Sequence, residues 1–307
     1  MLKTVLKANV DLKQKKGIFS TDKIMPLVLS IFALISVMTT IGIVVILVKE
    51  SISFFNVIPL LDFITGTEWT PLFDEGKFGV LPLIMGTFSI TIIGTIVAIP
   101  IGLGSAIYLS EYAPDRLRSI LKPVLEILAG VPTIVYGFFA LTFVTPIIRY
   151  FLPQTDVFNA LSAGIVVGIM IIPMISSLSE DAMMAVPRSL RNAAYALGST
   201  QLEVATKVVV PAALSGIVSS FVLAISRAFG ETMIVTLASG MLPNMSFNVL
   251  QSMQTLTAYI VSVSTGDIQF GTVEYMTIYA VGITLFLITL LMNIIASYIS
   301  KKYREEY

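Results

Sequence analysis

Long, mostly apolar stretches, separated by shorter polar ones, dominate this chain of 307 residues. A helix that crosses a membrane needs about 20 mostly apolar residues. Six stretches reach that length, over residues 24–48, 79–110, 119–151, 157–179, 208–239 and 275–300. The pattern therefore predicts an all-α membrane protein with six transmembrane helices.

The polar residues divide the rest of the chain into a basic N-terminal segment (1–23), one transmembrane domain (24–300) and a short tail (301–307). The first apolar stretch is too long for the core of a signal peptide, and no small-x-small cleavage site closes it. We therefore expect it to be a retained helix. The loop at 180–206 carries helix signals of its own.

Composition supports a membrane protein and argues against an enzyme. Hydrophobic residues make up 56% of the chain and charged residues 12%, and the mean hydropathy is +0.91. Soluble domains average about 25% charged residues. Cys and His are both absent, which excludes disulfides, thiol nucleophiles, imidazole metal sites and Ser-His-Asp triads. We expect no catalytic residue, metal or cofactor, and the net charge of +0 gives no reason to expect nucleic acid.

The distribution of basic residues predicts the orientation of the chain. With six spans, fifteen of the nineteen Lys and Arg residues fall on the side of the two termini, and three fall on the other side. Basic residues near span ends remain in the cytoplasm. The sequence therefore predicts a multi-pass protein of the plasma (inner) membrane with both termini in the cytoplasm.

Small residues predict where two of the helices approach closely. They recur every four positions in spans two and four, at Gly94, Ala98, Gly102 and Ala106 and at Gly164 and Gly168. Such stripes allow close packing of membrane helices. Proline interrupts both helices, at 100 and 173, and we favour bundle packing over a moving hinge.

An arginine and a glutamate inside span five are the main candidate site. Arg227 lies roughly 28 Å along this span at 1.5 Å per residue, and Glu231, four residues later, would share its helical face. A charged side chain at the centre of a membrane helix costs about 2.5–3.5 kcal/mol or more, and such residues usually mark the path of a substrate or an ion. The guanidinium fork suits tetrahedral oxyanions such as phosphate, with donors from Ser226 and Thr232 nearby. The alternative is an internal ion pair that only fixes helix register. Glu126, another acid, is expected to pair with Lys122 at the membrane interface.

The loop at 180–206 predicts two short helices. Pro187 suits a first helical turn, Gly198 suits a helix end, and Thr200 with Glu203 forms a capping box that begins a second helix. With Ala193 and Ala194 exposed, the first helix would fit a groove on another protein. A helix lying on the bilayer surface is the alternative.

This loop resembles a known family motif. Asn192-Ala193-Ala194-x-x-x-Gly198, followed by Val208-x-Val210-Pro211, resembles the EAA loop of ABC importer permeases, with Asn192 where the family usually has Glu. Further segments resemble the PstC-type permeases of phosphate ABC transporters. They are Trp69-x-Pro71, Phe78-Gly79, Gly86-Thr87, Leu109-Ser110-Glu111-Tyr112-Ala113-Pro114, Ala129-Gly130-Val131-Pro132-Thr133 and Arg227-Ala228-x-Gly230-Glu231-Thr232.

The resemblance implies a six-helix bundle of the type I, MetI-like kind and a coupling helix that docks an ATPase. The coupling residues would be Arg191, Asn192, Ala193, Ala194, Leu197 and Gly198. The substrate pathway would include Arg227, Glu231, Ser226, Thr232 and Thr133, the last standing where Ser is usual.

The resemblance also implies the partners, which are a PstA-type permease, two PstB-type ATPases and a PstS-type phosphate-binding protein. The chain itself would be surrounded by membrane lipid. The chain has no Gly-x-x-x-x-Gly-Lys-Ser/Thr motif, so ATP would bind to the partner subunit. Four alternatives stay open: another oxyanion such as sulfate or molybdate, the PstA-type sister subunit, an ion-coupled carrier, and a sensor or scaffold.

Overall fold

A computed structural model describes residues 21–73 and 75–302 of the chain. Most of the basic N-terminal segment and most of the tail lie outside these residues. The described part is helical, with one isolated antiparallel bridge between Trp69 and Phe78. By length and composition, five of its helices can cross a membrane, or six when one pair of bent helices counts as a single span.

The chain divides into two compact units, residues 1–49 and 50–307. The first unit holds most of α1 (Thr21–Phe55), which carries no charged residue between 24 and 48. The helices of the second unit are α2 (Leu60–Thr65), α3 (Leu81–Ile107), α4 (Asp115–Ala129), α5 (Thr133–Phe139), α6 (Thr145–Phe151), α7 (Ala160–Met184), α8 (Arg188–Ala196), α9 (Gln201–Val204), α10 (Val210–Ala212), α11 (Leu214–Phe229), α12 (Met233–Ala238), α13 (Leu256–Thr265) and α14 (Val273–Lys302). Three π-helical turns join some of them, at Tyr108–Tyr112, Ala140–Val144 and Ala205–Val209.

The predicted third span is not one helix. Its first part is α4, an amphipathic helix with no buried residue, and α4 ends at Gly130. Pro132, with ψ 135° typical of extended backbone, then precedes α5. Charged residues on α4 keep that helix out of the apolar core, so the crossing segment is the shorter Thr133–Phe151. The prediction of one span from 119 to 151 was therefore wrong in its first third.

The predicted fifth span is also broken, and at two places. Gln201–Ala212 and Leu214–Phe229 meet at an angle of 72°. The helix α11 then ends at Gly230, and α12 begins three residues later. Gly130 and Gly230 follow the last residues of α4 and α11 with φ of −85° and −87°, so neither position requires the left-handed backbone that favours glycine.

The stripes of small residues allow a close approach, as predicted, and the structure shows that the two helices that carry them, α3 and α7, pack against each other. A Cβ atom added at Gly168 would lie 2.8 Å from the carbonyl oxygen of Gly94, and one added at Gly94 would lie 3.2 Å from the carbonyl oxygen of Gly164. Around this approach lies a core of fully buried aliphatic side chains, including Val167 and Ile171. These two helices form the centre of the second unit.

The second unit has two ends that differ in chemistry. At the end that we call the α8 end, residues 108–126 meet residues 180–213 around buried Ala106, Met183 and Val209. At the opposite end, which we call the loop end, the indole of Trp69 packs edge-on against Tyr259, with ring centroids 4.9 Å apart. The loop end is apolar and aromatic, whereas the α8 end carries most of the ion pairs described below.

Candidate functional site

Arg227 lies in the last turn of α11, about 20 Å from the start of that helix at 1.5 Å per residue. The predicted 28 Å was too long because α11 begins at Leu214 and not at 208. The side chain is exposed on the surface of this chain, and it makes no ion pair with any described carboxylate. A positive charge is favourable at a helix C-terminus.

Glu231 does not pair with Arg227. The helix ends at Phe229, so the two residues do not share a helical face. The carboxylate is buried, and its Oε1 accepts hydrogen bonds from the backbone N–H groups of Met233 (3.1 Å) and Ile234 (3.2 Å). Glu231 thus caps the first two amides of α12, and the expectation that it shares a helical face with Arg227 was wrong because α11 ends before it.

The two hydroxyls predicted to help Arg227 are engaged within the chain. Ser226 donates to Oδ1 of Asn293 in α14 (2.8 Å), and Thr232 donates to the carbonyl of Gly230 (3.1 Å). Asn293 was missed by the sequence reasoning, because its partner lies 67 positions away. The structure therefore gives Ser226 a role in joining α11 to α14.

Thr133 begins α5, one turn before Tyr136 on the same side of that helix. This helix packs against α12, where a Cβ atom added at Gly137 would lie 2.8 Å from Cδ1 of Leu237. The phenol of Tyr136 donates to the carbonyl of Leu128 (2.9 Å) at the end of α4. The structure thus brings α5 against the first turns of α12, just beyond the break that follows Arg227.

A further contact reaches this break from α13. The hydroxyl of Thr257 donates to the backbone carbonyl of Glu231 (2.7 Å), and the hydroxyl of Thr255 lies 3.0 Å from that of Thr257. All of these groups are buried. No local sequence signal points to this contact, since Thr257 follows Glu231 by 26 residues through an irregular segment. The break is therefore held from the loop end by a side chain.

The loop at 180–206 folds as predicted. The helix α8 follows Pro187, and Gly198 leaves the helix with φ +84°, a conformation that glycine adopts without strain. Thr200 and Glu203 form the reciprocal capping box, with Thr200 N–H donating to Glu203 Oε2 (3.0 Å) and Glu203 N–H donating to Thr200 Oγ1 (3.4 Å). The loop is a helical hairpin.

The six predicted coupling residues divide between two faces of this hairpin. Asn192, Ala193, Leu197 and Gly198 are exposed, and 88% of the surface of Leu197 is accessible to solvent. Ala194 is buried against Ala106 and Met183, so the expectation that it is exposed was wrong. It faces inward because α8 lays this side on the ends of α3 and α7.

Arg191 also faces inward. Its Nη2 lies 3.0 Å from Oε1 of Glu111 and donates to the carbonyl of Met183 (2.8 Å), and its Nη1 donates to the carbonyl of Val186 (2.6 Å). The Arg191 side chain is 13% exposed and that of Glu111 is 4% exposed. This residue therefore holds α8 against the membrane helices.

A second group of charges joins α4 to α7. Glu180, which is fully buried, forms ion pairs with Arg118 and with Lys122 (3.0 Å), and Lys122 also donates to Asp181 (2.7 Å). The hydrogen bond to Asp181 is the main reason that the pKa of Lys122 is raised above 10.5. Lys122 thus pairs with α7 and not with Glu126, which is exposed. Among the described residues, no group of three or more acidic side chains is placed to hold a metal ion.

Comparison with known proteins agrees with this arrangement. A family model described as "binding-protein-dependent transport system inner membrane component" matches residues 98–305. A Bacillus subtilis protein named "probable ABC transporter permease protein YqgH" is 35% identical over 275 residues, which are 88% of each chain. The "phosphate transport system permease protein PstC 1" of Mycobacterium tuberculosis is 35% identical over 271 residues, 77% of this chain and 80% of that one.

Solved structures share the fold. A chain of a bacterial alginate ABC transporter matches 92% of this chain and 97% of its own length, with a TM-score of 0.64 and 14% identity. A chain of the MetNI methionine ABC transporter in an inward-facing state matches 74% and 98%, with a TM-score of 0.57 and 17% identity. The expected MetI-like fold is confirmed, and the chain belongs to the family of binding-protein-dependent transport system inner membrane components, as a PstC-type permease.

Proposed function

We propose that this chain is the membrane permease subunit of an ATP-driven phosphate importer, in which it forms half of the translocation pathway. It would pair with a PstA-type permease, two PstB-type ATPases that bind ATP, and a PstS-type binding protein. The names of its relatives support phosphate as cargo. The excess of basic residues supports cytoplasmic termini, which would place the α8 end in the cytoplasm.

The proposed phosphate pathway rests on one observation, which is that the side chain of Arg227 is exposed. A guanidinium in an apolar, membrane-crossing helix costs about 2.5–3.5 kcal/mol or more unless it reaches water or a partner. Glu231 is occupied by the amides of α12, so Arg227 keeps its charge available. Its planar fork would bind two oxygens of a phosphate as it passes. A partner permease that completes the pathway would face this side of α11.

Substitution of Arg227 tests the pathway. In proteoliposomes that contain the whole importer, Arg227→Gln should lower uptake of radioactive phosphate at least tenfold, because a charge-assisted hydrogen bond contributes about 1.5–3 kcal/mol. Arg149→Gln is the matched control, since Arg149 is also exposed and also in the last turn of its helix, α6. Near-normal uptake by an assembled Arg227→Gln importer would remove the pathway role.

We also propose that α8 docks the ATPase through its exposed face, with Asn192, Ala193 and Leu197 in the contact. Leu197→Asp should then abolish co-purification of the ATPase, while Leu202→Asp, a change at an exposed leucine of α9, should not. Ala194→Asp is unsuitable as a test because it would place a charge in the core of this chain. Equal co-purification with both leucine variants would argue against docking by α8.

The guanidinium fork alone does not select among tetrahedral oxyanions, so another oxyanion is the second candidate for the cargo. Uptake of labelled phosphate in the presence of a hundredfold excess of unlabelled sulfate or molybdate distinguishes them. Phosphate uptake that persists supports the first candidate, and strong competition by sulfate or molybdate supports the second.

A further inference from the structure

We infer that Glu111 and Arg191 form a clamp that makes α3, and not α11, the helix that receives movement from α8. The inference rests on the proposed function, because it names the residues through which a docked ATPase would move the membrane helices. Both residues act by positioning, and neither would touch the phosphate.

The first argument is the saturation of the Arg191 guanidinium. Its Nε lies 3.3 Å and 3.4 Å from the two carboxylate oxygens of Glu111, and its Nη2 lies 3.0 Å from one of them. The remaining bonds go to the backbone carbonyls of Met183, in the last turn of α7, and Val186, just beyond it. One buried side chain of α8 thus holds the ends of two membrane helices. A lysine, with a single ammonium, has no such planar fork.

The second argument is that the hairpin grips Glu111 twice. While Arg191 of α8 holds its carboxylate, the side-chain amide of Gln201, the first residue of α9, donates to its backbone carbonyl (2.5 Å). The hydroxyl of Ser110 donates to Oε1 of the same carboxylate (2.8 Å). A displacement of the α8–α9 hairpin would therefore displace residue 111 with it.

The local backbone explains why Glu111 reaches the hairpin. The residue lies in the π-helical turn Tyr108–Tyr112 that continues α3. A π-helical turn widens the helix and changes the direction of the side chains that follow, and such turns are frequent at functional sites. The turn ends at Ala113, before Pro114 begins the next segment. Glu111 thus lies near the end of the helical segment that continues α3, where it contacts Arg191 and Gln201.

The third argument compares the two routes out of the hairpin. The covalent route leads through α10 into α11, but the chain bends by 72° between Ala212 and Leu214. The helix α3, by contrast, stays one helix from Leu81 to Ile107, although Pro100 lies inside it. A push on one end of a continuous helix moves its other end, whereas a sharp bend can absorb the push.

Hydrogen bonds connect the opposite end of α3 to the break that follows Arg227. Near that end, Oγ1 of Thr87 accepts a hydrogen bond from the backbone N–H of Leu256 (3.0 Å) at the start of α13. The next residue, Thr257, binds the carbonyl of Glu231. Contacts between described residues thus run from α8 through α3 and α13 to the break that follows Arg227.

The first experiment does not depend on the cargo. The chain has no cysteine, so spin labels attached at Tyr112→Cys and Ala196→Cys report the distance between the tail of α3 and the end of α8 in the assembled importer. We expect one narrow distance both without nucleotide and with a non-hydrolysable ATP analogue, because the two elements move together. Adding Glu111→Ala should broaden the distribution. An unchanged distribution in Glu111→Ala would overturn the clamp.

The second experiment measures coupling as phosphate taken up per ATP hydrolysed. Glu111→Arg and Arg191→Glu should each lower this ratio at least tenfold, and the double exchange should recover at least fivefold over the better single variant. Lys77→Gln, which breaks the exposed Glu68–Lys77 pair at the loop end, should stay within twofold of the unmodified importer. If the single variants fail to assemble, Glu111→Gln replaces them and should lower the ratio at least threefold.

Two results in this second experiment would overturn the clamp. The first is a ratio of phosphate taken up to ATP hydrolysed in the single variants, or in Glu111→Gln, that equals the ratio in Lys77→Gln. The second is an assembled double exchange whose ratio is no higher than that of the single variants. The two proposals also fail separately. An unmodified importer that takes up no phosphate refutes the proposed cargo, while the spin-label distances still decide whether α8 and α3 move as one.

Discussion

The close approach of α3 and α7 predicts a large effect from adding one methyl group. In Gly168→Ala, the new Cβ would lie 2.8 Å from the carbonyl oxygen of Gly94 and 2.9 Å from Cβ of Val97. The oxygen belongs to the backbone, so the helices themselves must move apart. Overpacking of this kind costs about 1–3 kcal/mol. At about 2–4 °C for each kcal/mol in a chain of this size, the melting temperature should fall by roughly 2–12 °C.

Gly104→Ala is the control for this prediction. Gly104 lies in the same helix as Gly94, but a Cβ atom added there would have no neighbour within 4 Å. Both variants exchange glycine for a better helix former, so the difference between them isolates the clash. The assay is the temperature at which the detergent-solubilised, fluorescently tagged importer loses half of its monodisperse peak in size-exclusion chromatography. Gly168→Ala and Gly104→Ala melting at the same temperature would refute the reasoning.

Three further predictions concern buried polar contacts. Glu180→Gln should destabilise the importer by about 1.5–3 kcal/mol, because it weakens the charge-assisted contacts of Arg118 and Lys122 with residue 180. Asp181→Asn, at a side chain 58% exposed, should cost less in the same assay. The pKa of Lys122 is raised above 10.5. The stabilisation that the protonated, paired Lys122 contributes is therefore fully present below pH 10.5 and is lost only at higher pH. The difference in melting temperature between Glu180→Gln and the unmodified chain should therefore stay constant from pH 7 to about pH 9, and a steep change in that range would contradict the pairing. Thr257→Val should cost about 1–3 kcal/mol by leaving the buried carbonyl of Glu231 without its donor, while Thr265→Val, at an exposed residue of the same helix, should melt like the unmodified chain.

Features that repeat along the chain were predictable from sequence. The apolar stretches located most of the membrane helices, since a span is recognised by its length and lack of charge. Stripes of glycine and alanine four residues apart predicted that α3 and α7 are each approached closely by another helix, but not that they are each other's partner. The boundaries of α8 and α9 followed from Pro187, Gly198 and the capping box of Thr200 and Glu203. Each of these signals lies within one continuous segment of the chain.

The breaks in spans three and five were not predictable from hydropathy, although Gly130 and Gly230 stood in the sequence. Glycine in a membrane helix is also common in unbroken packing positions, as Gly94 and Gly168 show. Only the amides of α12 and their bond to Glu231 decide that the helix ends at residue 230. A hydropathy average over many residues does not detect such local contacts and therefore predicts one long span.

The pairing of charged residues was decided by the tertiary structure alone. A helical pattern offered Arg227 a partner four residues away, yet Glu231 binds backbone amides. Arg191 instead finds Glu111 across 80 positions of chain. A sequence states which residues carry charge, and spacing identifies partners only within one helix. Which charges meet at the ends of different helices depends on how those helices pack, because a buried charge takes the nearest group that offsets the loss of its water.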